Sequence, residues 1–552
     1  MLARPDVYTY RMAKFVRRHR GSATVAAVVF LALIGGLTGT ITQARRATQQ
    51  AAVAETHRRR ADEQAQAANA QRDFALRQLS RAEAINDLNT FLLTDAAPSG
   101  KPITVGDLLK RAERLIDRQS AETEENHVEL LIAIGRQFQM QDQQAKAREL
   151  LGKAYEISRK LSDPVVRAQA AASYGDAISL KGEFEEGEKL VQEALTELGD
   201  VPEHTLARIF CLLRGSHLAR EHGKADLGIE RAQTAQRLLN DSGQGSPLLE
   251  LTVAMDVAES YRMSGRNRDA VVAFAEAFRH LSTLGRDDTD KASTLLNNWA
   301  LAVEKLGQPL EAERLYRQAV AIETAAGNEE TVSPMLLNNL ARTLVETQHP
   351  AQGAEYAERA EAKARSAGAE VVVSMCLNVR EMAYRELGQF ERADEALAEF
   401  EARWKKLFPP NHIGFAAIAS QKALLSLARG NFTDALTESD RAIAMCETIP
   451  EGRDRLAIFL VRRATVHMKL QQAEAAEADA RRALVLQQEA TGPGVLSCWL
   501  GRGHFVLGRA LQTQGKVGEA RAAYTSALQH LEPSLGKENP ETQEAARAVA
   551  GI

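Results

Sequence analysis

The chain has 552 residues, of which 45% are hydrophobic, 26% charged and only 5% aromatic. The hydrophobic and charged fractions are typical of a folded chain and exclude extensive disorder. The lack of aromatic and β-branched runs excludes a β-barrel and a β-sandwich. Residues 1–60 contain 11 basic and 2 acidic residues, a net charge of +9, whereas the rest contains 58 and 71, a net charge of −13 that disfavours binding to nucleic acid.

The first predicted element is a membrane-spanning helix over residues 21–42. This stretch contains no charged residue, and as a helix it covers about 33 Å, enough for the hydrocarbon core of a bilayer. A cleaved signal peptide is the alternative, but its apolar region is shorter, and Gln43-Ala44-Arg45-Arg46 makes a poor cleavage site. The sequence therefore predicts an uncleaved anchor in a lipid bilayer.

The basic segment 1–20 predicts the orientation of this anchor. Six basic residues precede the span and two closely follow it, so the positive-inside rule places the N-terminus in the cytoplasm and all later residues outside. The basic segment is also expected to contact anionic lipid headgroups. Gly35 and Gly39 form a GxxxG motif, which lets two membrane helices approach closely, so a homodimer through this face is one alternative.

A helical connector is predicted over residues 43–97, because residues 40–97 contain neither Gly nor Pro and are rich in strong helix formers. From Phe74 onward an apolar stripe at helical spacing needs a partner, which leaves a coiled coil as one alternative. Residues 98–126 are predicted as a linker and a short helix. That helix is predicted over Leu108 to Arg118, preceded by a capping box formed by Thr104 and Asp107.

The segment 127–535 is an internal repeat. A small residue recurs in mid-helix, followed about twelve residues later by Ala or Gly and then by Ala seven further on, and successive motifs start 40 to 44 residues apart. Small side chains at these places let two antiparallel helices cross closely. Residues 536–552 are predicted as a C-terminal tail. The seventh motif is degenerate, with Phe400 in place of the last Ala, and the ten motifs start at Gly135, Gly175, Gly215, Ala258, Ala300, Ala341, Glu381, Ala423, Ala464 and Gly508.

This pattern resembles the tetratricopeptide repeat (TPR), a helix pair that stacks into a right-handed superhelix. The segments Leu296-Asn297-Asn298-Trp299-Ala300 and Leu337-Asn338-Asn339-Leu340-Ala341 are similar to the longer repeats of kinesin light chains. The resemblance implies an all-α chain, a right-handed α-solenoid of about ten TPR-like helix pairs. Such repeats bind many unrelated partners, so the fold alone does not identify a ligand.

The predicted binding site lies in the concave groove of this solenoid, for a protein or peptide ligand. Asn297, Asn338 and Asn378 fall at equivalent inward places in three consecutive repeats, where amide side chains can hold the backbone of an extended peptide. Arg342 and Arg385 lie about one helical turn further along and can pair with a carboxylate. The alternative is that the Asn residues cap or pack locally and the Arg residues are solvated.

No catalytic motif is visible. The Gly-rich, HRD and DFG segments of kinases are absent, as is GxSxG, so no catalytic residue is predicted. His217 and His222 are five residues apart, which is not the spacing of a helical zinc site, and the four cysteines show no CxxC pattern. The sequence predicts no metal and no cofactor.

A second resemblance lies outside the repeats. The basic run from Tyr10 to Arg20, the span, the connector and the segment from Asn89 to Asp95 are similar to the middle of bacterial membrane-anchored serine/threonine protein kinases that carry C-terminal TPRs. That resemblance implies the bacterial inner membrane and leaves open whether the chain is a stand-alone scaffold or the sensor part of such a kinase, whose catalytic domain this sequence lacks. A reversed orientation, with cytosolic repeats, is the third alternative.

Overall fold

The computed structural model describes residues 8–90, 104–118, 123–179, 182–326, 332–449 and 452–551. It divides into two compact regions, which we call the N-terminal region, Met1–Asn126, and the repeat region, His127–Ile552. Across the described ranges the regular structure is helical throughout, with 24 α-helices and no strand, which confirms the predicted all-α class.

The N-terminal region contains α1 (Tyr8–Arg18), α2 (Arg20–Thr90) and α3 (Val105–Arg118). One helix, α2, covers both the predicted span and most of the predicted connector. The part of α2 from Arg20 to Asn69 contains an 18-residue stretch with a mean hydropathy of 2.1, and no residue of that stretch is buried. This part of the helix is therefore long and apolar enough to cross a membrane. The hydroxyls of Thr38 and Thr42 donate to backbone oxygens one turn earlier, at 2.7 and 2.8 Å, and so do not need water.

The predicted capping box at the start of α3 is confirmed. The Asp107 backbone N–H donates to Thr104 Oγ1 at 3.1 Å, and the Thr104 backbone N–H and hydroxyl donate to Asp107 Oδ2 at 3.3 and 2.7 Å. These bonds satisfy amide groups that have no partner inside the helix, and they hold the pKa of Asp107 below its ordinary value. Of the predicted apolar stripe on α2, Leu76, Leu79 and Ile85 are exposed.

The repeat region consists of ten successive helix pairs, numbered pair 1 to pair 10, followed by α24 (Pro540–Ala550). This arrangement confirms the predicted solenoid of TPR-like pairs. Pairs 1 to 5 are α4 (Glu124–Met140) with α5 (Gln144–Ser158), α6 (Pro164–Ser179) with α7 (Phe184–Leu198), α8 (Thr205–Glu221) with α9 (Ala225–Ser242), α10 (Pro247–Met263) with α11 (Asn267–Thr283), and α12 (Asp290–Lys305) with α13 (Pro309–Ala326). Pairs 6 to 10 are α14 (Pro334–Glu346) with α15 (Pro350–Ser366), α16 (Glu370–Glu386) with α17 (Phe390–Leu407), α18 (Gly414–Ala428) with α19 (Phe432–Thr448), α20 (Arg453–Lys469) with α21 (Ala473–Thr491), and α22 (Cys498–Thr513) with α23 (Val517–Leu535).

The small residues of the repeat motif lie where the two helices of a pair cross. In pair 2, a Cβ added to Gly175 would lie 2.6 Å from the backbone oxygen of Gly187, and one added to Gly187 would lie 2.4 Å from that of Gly175. In pair 5 the motif residues Ala300, Ala312 and Ala319 are fully buried. The backbones therefore approach too closely for larger side chains, which is the physical reason for the repeat.

Substituting Gly175 with alanine is expected to lower the free energy of unfolding by about 1–3 kcal/mol, because the new methyl group meets backbone rather than a flexible side chain. Gly518 is the matched control, since it lies near the start of α23 with open space where its Cβ would be. Gly518→Ala should change stability by less than about 1 kcal/mol. Urea unfolding followed by helical circular dichroism measures both, and equal effects would contradict the close approach.

The solenoid returns on itself between pair 5 and pair 10. The Cys498 backbone N–H donates to the Gly307 backbone oxygen at 2.8 Å, and Gln308 Nε2 donates to the backbone oxygen of Leu496 at 3.2 Å. Gly307 has a φ of +76°, and a Cβ there would lie 2.1 Å from Ser497 Oγ, so only glycine fits this contact. Pairs 5 to 10 therefore surround an interior space.

The segment predicted as a tail contains α24. Its residues Thr542 and Ala545 are buried, and Asn539 caps the helix by accepting from the Glu541 backbone N–H at 2.9 Å. Glu541 also pairs with Arg502 of α22 through two hydrogen bonds of 2.7 and 2.8 Å. This helix covers the end of the last pair, as terminal helices do in repeat arrays.

Candidate functional site

The interior of the closed part of the solenoid contains a cavity of about 810 Å³, lined mainly by the first helices of pairs 5 to 9. A second cavity of about 340 Å³ continues toward pair 10 and α24. The two share Glu346, Met382, Arg462 and Trp499 in their linings, and we call them together the lumen. Its size and its mixture of apolar and polar walls are typical of a ligand site rather than of a packing defect.

A row of side-chain amides crosses the lumen on three successive first helices. Asn338 on α14, Asn378 on α16 and Gln421 on α18 all line the larger cavity. Gln421 Nε2 donates to Asn378 Oδ1 at 3.2 Å. Asn338 Oδ1 and Gln421 Oε1 are buried without a hydrogen-bond partner. Buried acceptors without partners are costly in a folded protein, so these two amides have bonding capacity to offer a ligand.

Arg342, a predicted site residue, lines the lumen but is ion-paired within the chain. Its Nη2 lies 2.5 Å from Glu304 Oε2, and Glu304 also accepts from Tyr316 at 2.9 Å and from Thr343 at 2.6 Å. The Glu304 charge raises the pKa of Arg342 above its ordinary value. The Glu304 carboxylate thus has a full set of donors, and the ion pair with Arg342 connects helix pair 5 to helix pair 6.

Arg385 lines the smaller cavity and is likewise paired. Its Nε donates to Glu381 Oε1 at 3.1 Å, and its Nη1 donates to Glu386 at 2.6 Å. Glu381 is fully buried, its Oε2 has no partner, and burial raises its pKa to about 7. Neither predicted arginine is therefore free of internal carboxylates.

Two charged groups of the lumen form no ion pair within the described residues, namely Arg462 and Glu346. Arg462 donates to Ser420 Oγ at 2.8 Å, and its guanidinium lies 5.8 Å from the ring centroids of both Phe459 and Trp499. Burial, with the charges of Arg385 and Arg502, lowers the pKa of Arg462 to about 10. Burial and Glu304 raise the pKa of Glu346. In both cases burial outweighs the opposite charges nearby, which are those of Glu346 and Glu381 for Arg462, and those of Arg502, Arg342 and Arg462 for Glu346.

The structure brings four of the five predicted groove residues to the lumen, namely Asn338, Asn378, Arg342 and Arg385. Asn297 is not in either lining, and its side chain instead bonds to Asn298 and Asn339, each at 3.0 Å. The predicted membrane-helix contacts, Gly35 and Gly39, have open space around them on α2.

The sequence prediction missed Gln421 and Arg462. Gln421 follows Asn378 by 43 residues, within the 40 to 44 of the repeat, so extending the asparagine register by one pair and accepting glutamine would have found it. Arg462 carries no such signal. The adjacent Arg463 looks the same in the sequence but pairs with Asp440 and Asp479, at 2.8 and 2.7 Å.

The cysteines are occupied in packing. The four cysteines are buried and unbridged, and burial raises the pKa of Cys211, Cys376 and Cys498 to about 12, so they are poor nucleophiles. The described part of the chain contains no group of three His, Cys, Asp or Glu residues placed to hold a metal ion.

The helix pairs and the lumen place this chain in the class of TPR-like α-solenoids. No family model and no curated protein matches it. Among solved structures, apo RapI is 13% identical with a TM-score of 0.45, over 70% of this chain and 99% of that chain. NprR in complex with its cognate peptide NprX is 13% identical with a TM-score of 0.47, over 66% and 97%. A putative kinesin light chain from Podosopora anserina is 18% identical with a TM-score of 0.32, over 38% and 99%.

Proposed function

We propose that this chain is a membrane-anchored TPR-like scaffold that binds an extended peptide segment in its lumen. The observation that carries the proposal is the amide row of Asn338, Asn378 and Gln421, in which two buried carbonyl oxygens have no partner. A side-chain amide offers both a donor and an acceptor, which is the pattern of a peptide backbone. Amides on successive helices repeat that pattern along the groove.

The charges of the lumen indicate which peptides fit. Within the described residues neither Arg462 nor Glu346 forms a close ion pair, although each lies near enough to the other to feel its charge. A ligand that brings an acidic group to Arg462 and a basic group to Glu346 would satisfy both in a poorly solvated space, where such pairs are strong. The proposed ligand is therefore a peptide that carries both charges, either in its side chains or at its termini.

The test is selection of random displayed peptides on the full-length chain in mild detergent. We expect recovered peptides to contain both acidic and basic groups. Arg462→Gln should remove the preference for the acidic group, Glu346→Gln that for the basic group, and each should weaken binding of a wild-type-selected peptide about tenfold or more. Peptides selected equally well by all three proteins would contradict the assignment of these charges.

Removal of one amide tests the row itself. Asn338→Ala is expected to weaken binding of the same selected peptide about tenfold, because one hydrogen bond in a buried site is lost. Asn297→Ala is the matched control, at the equivalent place of the preceding pair but outside the lumen. Fluorescence anisotropy measures both affinities and circular dichroism the folding; an unchanged affinity for Asn338→Ala would overturn the site.

The anchor and its orientation are part of the proposal. The anchor is supported by the most apolar stretch of α2, in which no residue is buried. The orientation is supported by the excess of basic residues before that stretch. Protease treatment of sealed inner-membrane vesicles, cytoplasmic side out, should leave the repeat region intact. Digestion of the repeats in those vesicles would mean that the orientation is the reverse of the proposed one.

Dimerisation through Gly35 and Gly39 predicts that the protein in detergent has twice the mass of one chain, and that Gly35→Leu reduces this mass to that of one chain.

The kinase alternative has its own test. The basic run, the span and the connector are the features in favour of a sensor part of a receptor kinase. The intact mass and N-terminal peptide of the protein from its own cells distinguish the two. A product larger by about 30 kDa, the size of one added domain, supports the kinase, whereas a product of 60.4 kDa that begins at Met1 supports the stand-alone scaffold.

A further inference from the structure

A second charged cluster lies on the first helices of pairs 1 to 3, outside the lumen. Its centre is Asp176 of α6, which is fully buried. Its carboxylate accepts from His217 Nδ1 at 2.6 Å and from Gln139 Nε2 at 3.3 Å, and it lies 3.5 Å from Arg214 Nη1. His217 and Arg214 hold the pKa of Asp176 below its ordinary value in spite of burial. The single acid of the cluster is therefore already neutralised.

The cations of the cluster outnumber this acid. The guanidiniums of Arg136 on α4 and Arg214 on α8 lie 5.1 and 5.8 Å from the ring centroid of Phe210. Arg136 forms no ion pair and no hydrogen bond with the described residues. The Arg214 charge, together with burial, lowers the pKa of Arg136 to about 9. A half-buried arginine beside another arginine, with no carboxylate of its own, is unfavourable unless something else supplies negative charge.

A third cation, on pair 5, lies near enough to Arg136 to feel its charge. Lys291, at the start of α12, is half-buried, and the charges of Arg286 and Arg136 add to burial in lowering its pKa. Lys291 also forms no ion pair within the described residues. Arg136 therefore lies near two other cations, Arg214 and Lys291, and the charge of Asp176 offsets only part of the resulting positive potential.

We propose that Arg136 and Arg214 form a site for an oxyanion, a carboxylate or a phosphate group, and that Lys291 adds positive charge near it. Both guanidiniums lie over the ring of Phe210. A cation–π contact uses none of the guanidinium N–H groups, which can then form the forked hydrogen bonds that oxyanions accept. Arg214 Nε, which is buried without a partner, adds a donor with unused capacity. The site is separate from the amide row and does not depend on the proposed peptide function.

The test measures binding of inorganic phosphate and of glutarate to the full-length chain in mild detergent, each against chloride at equal ionic strength. We expect one of the two anions to raise the thermal unfolding midpoint by a few degrees, and the more effective one identifies the oxyanion. Arg136→Gln should abolish the rise. In chloride alone the same variant should unfold at the same or a higher temperature than the wild type, because Arg214 loses a repelling neighbour.

Arg279→Gln is the matched control, since Arg279 lies exposed on α11 and should keep the full anion response. Lys291→Gln is the second variant and should lower the response, which decides the matter if Arg136→Gln fails to fold. No rise with either anion, or an equal rise in Arg136→Gln and the wild type, would overturn the site. Destabilisation of Arg136→Gln in chloride with the anion response intact would mean a purely structural role.

Discussion

Arg342→Met is expected to lower the free energy of unfolding of the repeat region by about 3 kcal/mol, because it leaves the Glu304 carboxylate charged and without its cation. Glu304 is 11% exposed, and the Arg342 side chain 28%. Two neutral hydroxyls, those of Tyr316 and Thr343, would remain as its donors. In the wild type, burial and the charge of Glu304 already raise the pKa of Glu346. Loss of the Arg342 cation leaves the repulsion between these two carboxylates less compensated.

The controls separate a buried charge from a lost contact. The double variant Glu304→Gln with Arg342→Met leaves no unpaired charge and should recover most of the loss. Arg314→Met removes a partner of Glu311 on the surface of α13, where the two side chains are 56% and 43% exposed, and should cost less than about 1 kcal/mol. Urea unfolding gives all three values. A loss for Arg342→Met no greater than that for Arg314→Met would show that the lumen solvates Glu304 well.

The repeats were predictable from the sequence because their cause is local. A glycine such as Gly175 and an alanine such as Ala312 mark crossings of neighbouring helices, and the first motif position is glycine or alanine in nine of the ten pairs. The capping box of Thr104 and Asp107 was predictable for the same reason, since both partners lie within one turn. Helix number, helix order and the small-residue positions follow from such neighbours.

The charge pattern of the lumen was less predictable because its partners come from different pairs. Arg342 was expected to face a ligand, but its partner Glu304 lies 38 residues earlier, on the preceding first helix. The hydrogen bond between Gly307 and Cys498 closes pairs 5 to 10 around the lumen. The distance in space between these two residues depends on the rotation that accumulates over several helix pairs. Sequence spacing fixes the register of each repeat but not that rotation, so the residues left unpaired in the interior emerge only from the structure.

Glu381 gives the second large effect, a dependence of stability on pH. It occupies the motif position that alanine or glycine holds in the other nine pairs, and its side chain is fully buried. Burial raises its pKa to about 7 from the ordinary value of 4.5. Between these two values the folded protein holds a proton that the unfolded chain releases. Its contribution to stability therefore increases as the pH falls from 8 toward 4.5, by on the order of 3 kcal/mol in total.

Glu381→Gln removes this titration while keeping the shape of the side chain. We expect the variant to be more stable than the wild type at pH 8, and the difference to shrink steadily as the pH falls to 5, where Glu381 is protonated. Other titrating groups cancel in that difference. Glu311→Gln is the matched control, because Glu311 pairs with Arg314 at the surface of α13 and is 43% exposed, so the difference between this variant and the wild type should change much less over the same range. A flat difference for Glu381→Gln as well, measured by urea unfolding at each pH, would mean that Arg385 keeps the Glu381 carboxylate ionised despite its burial.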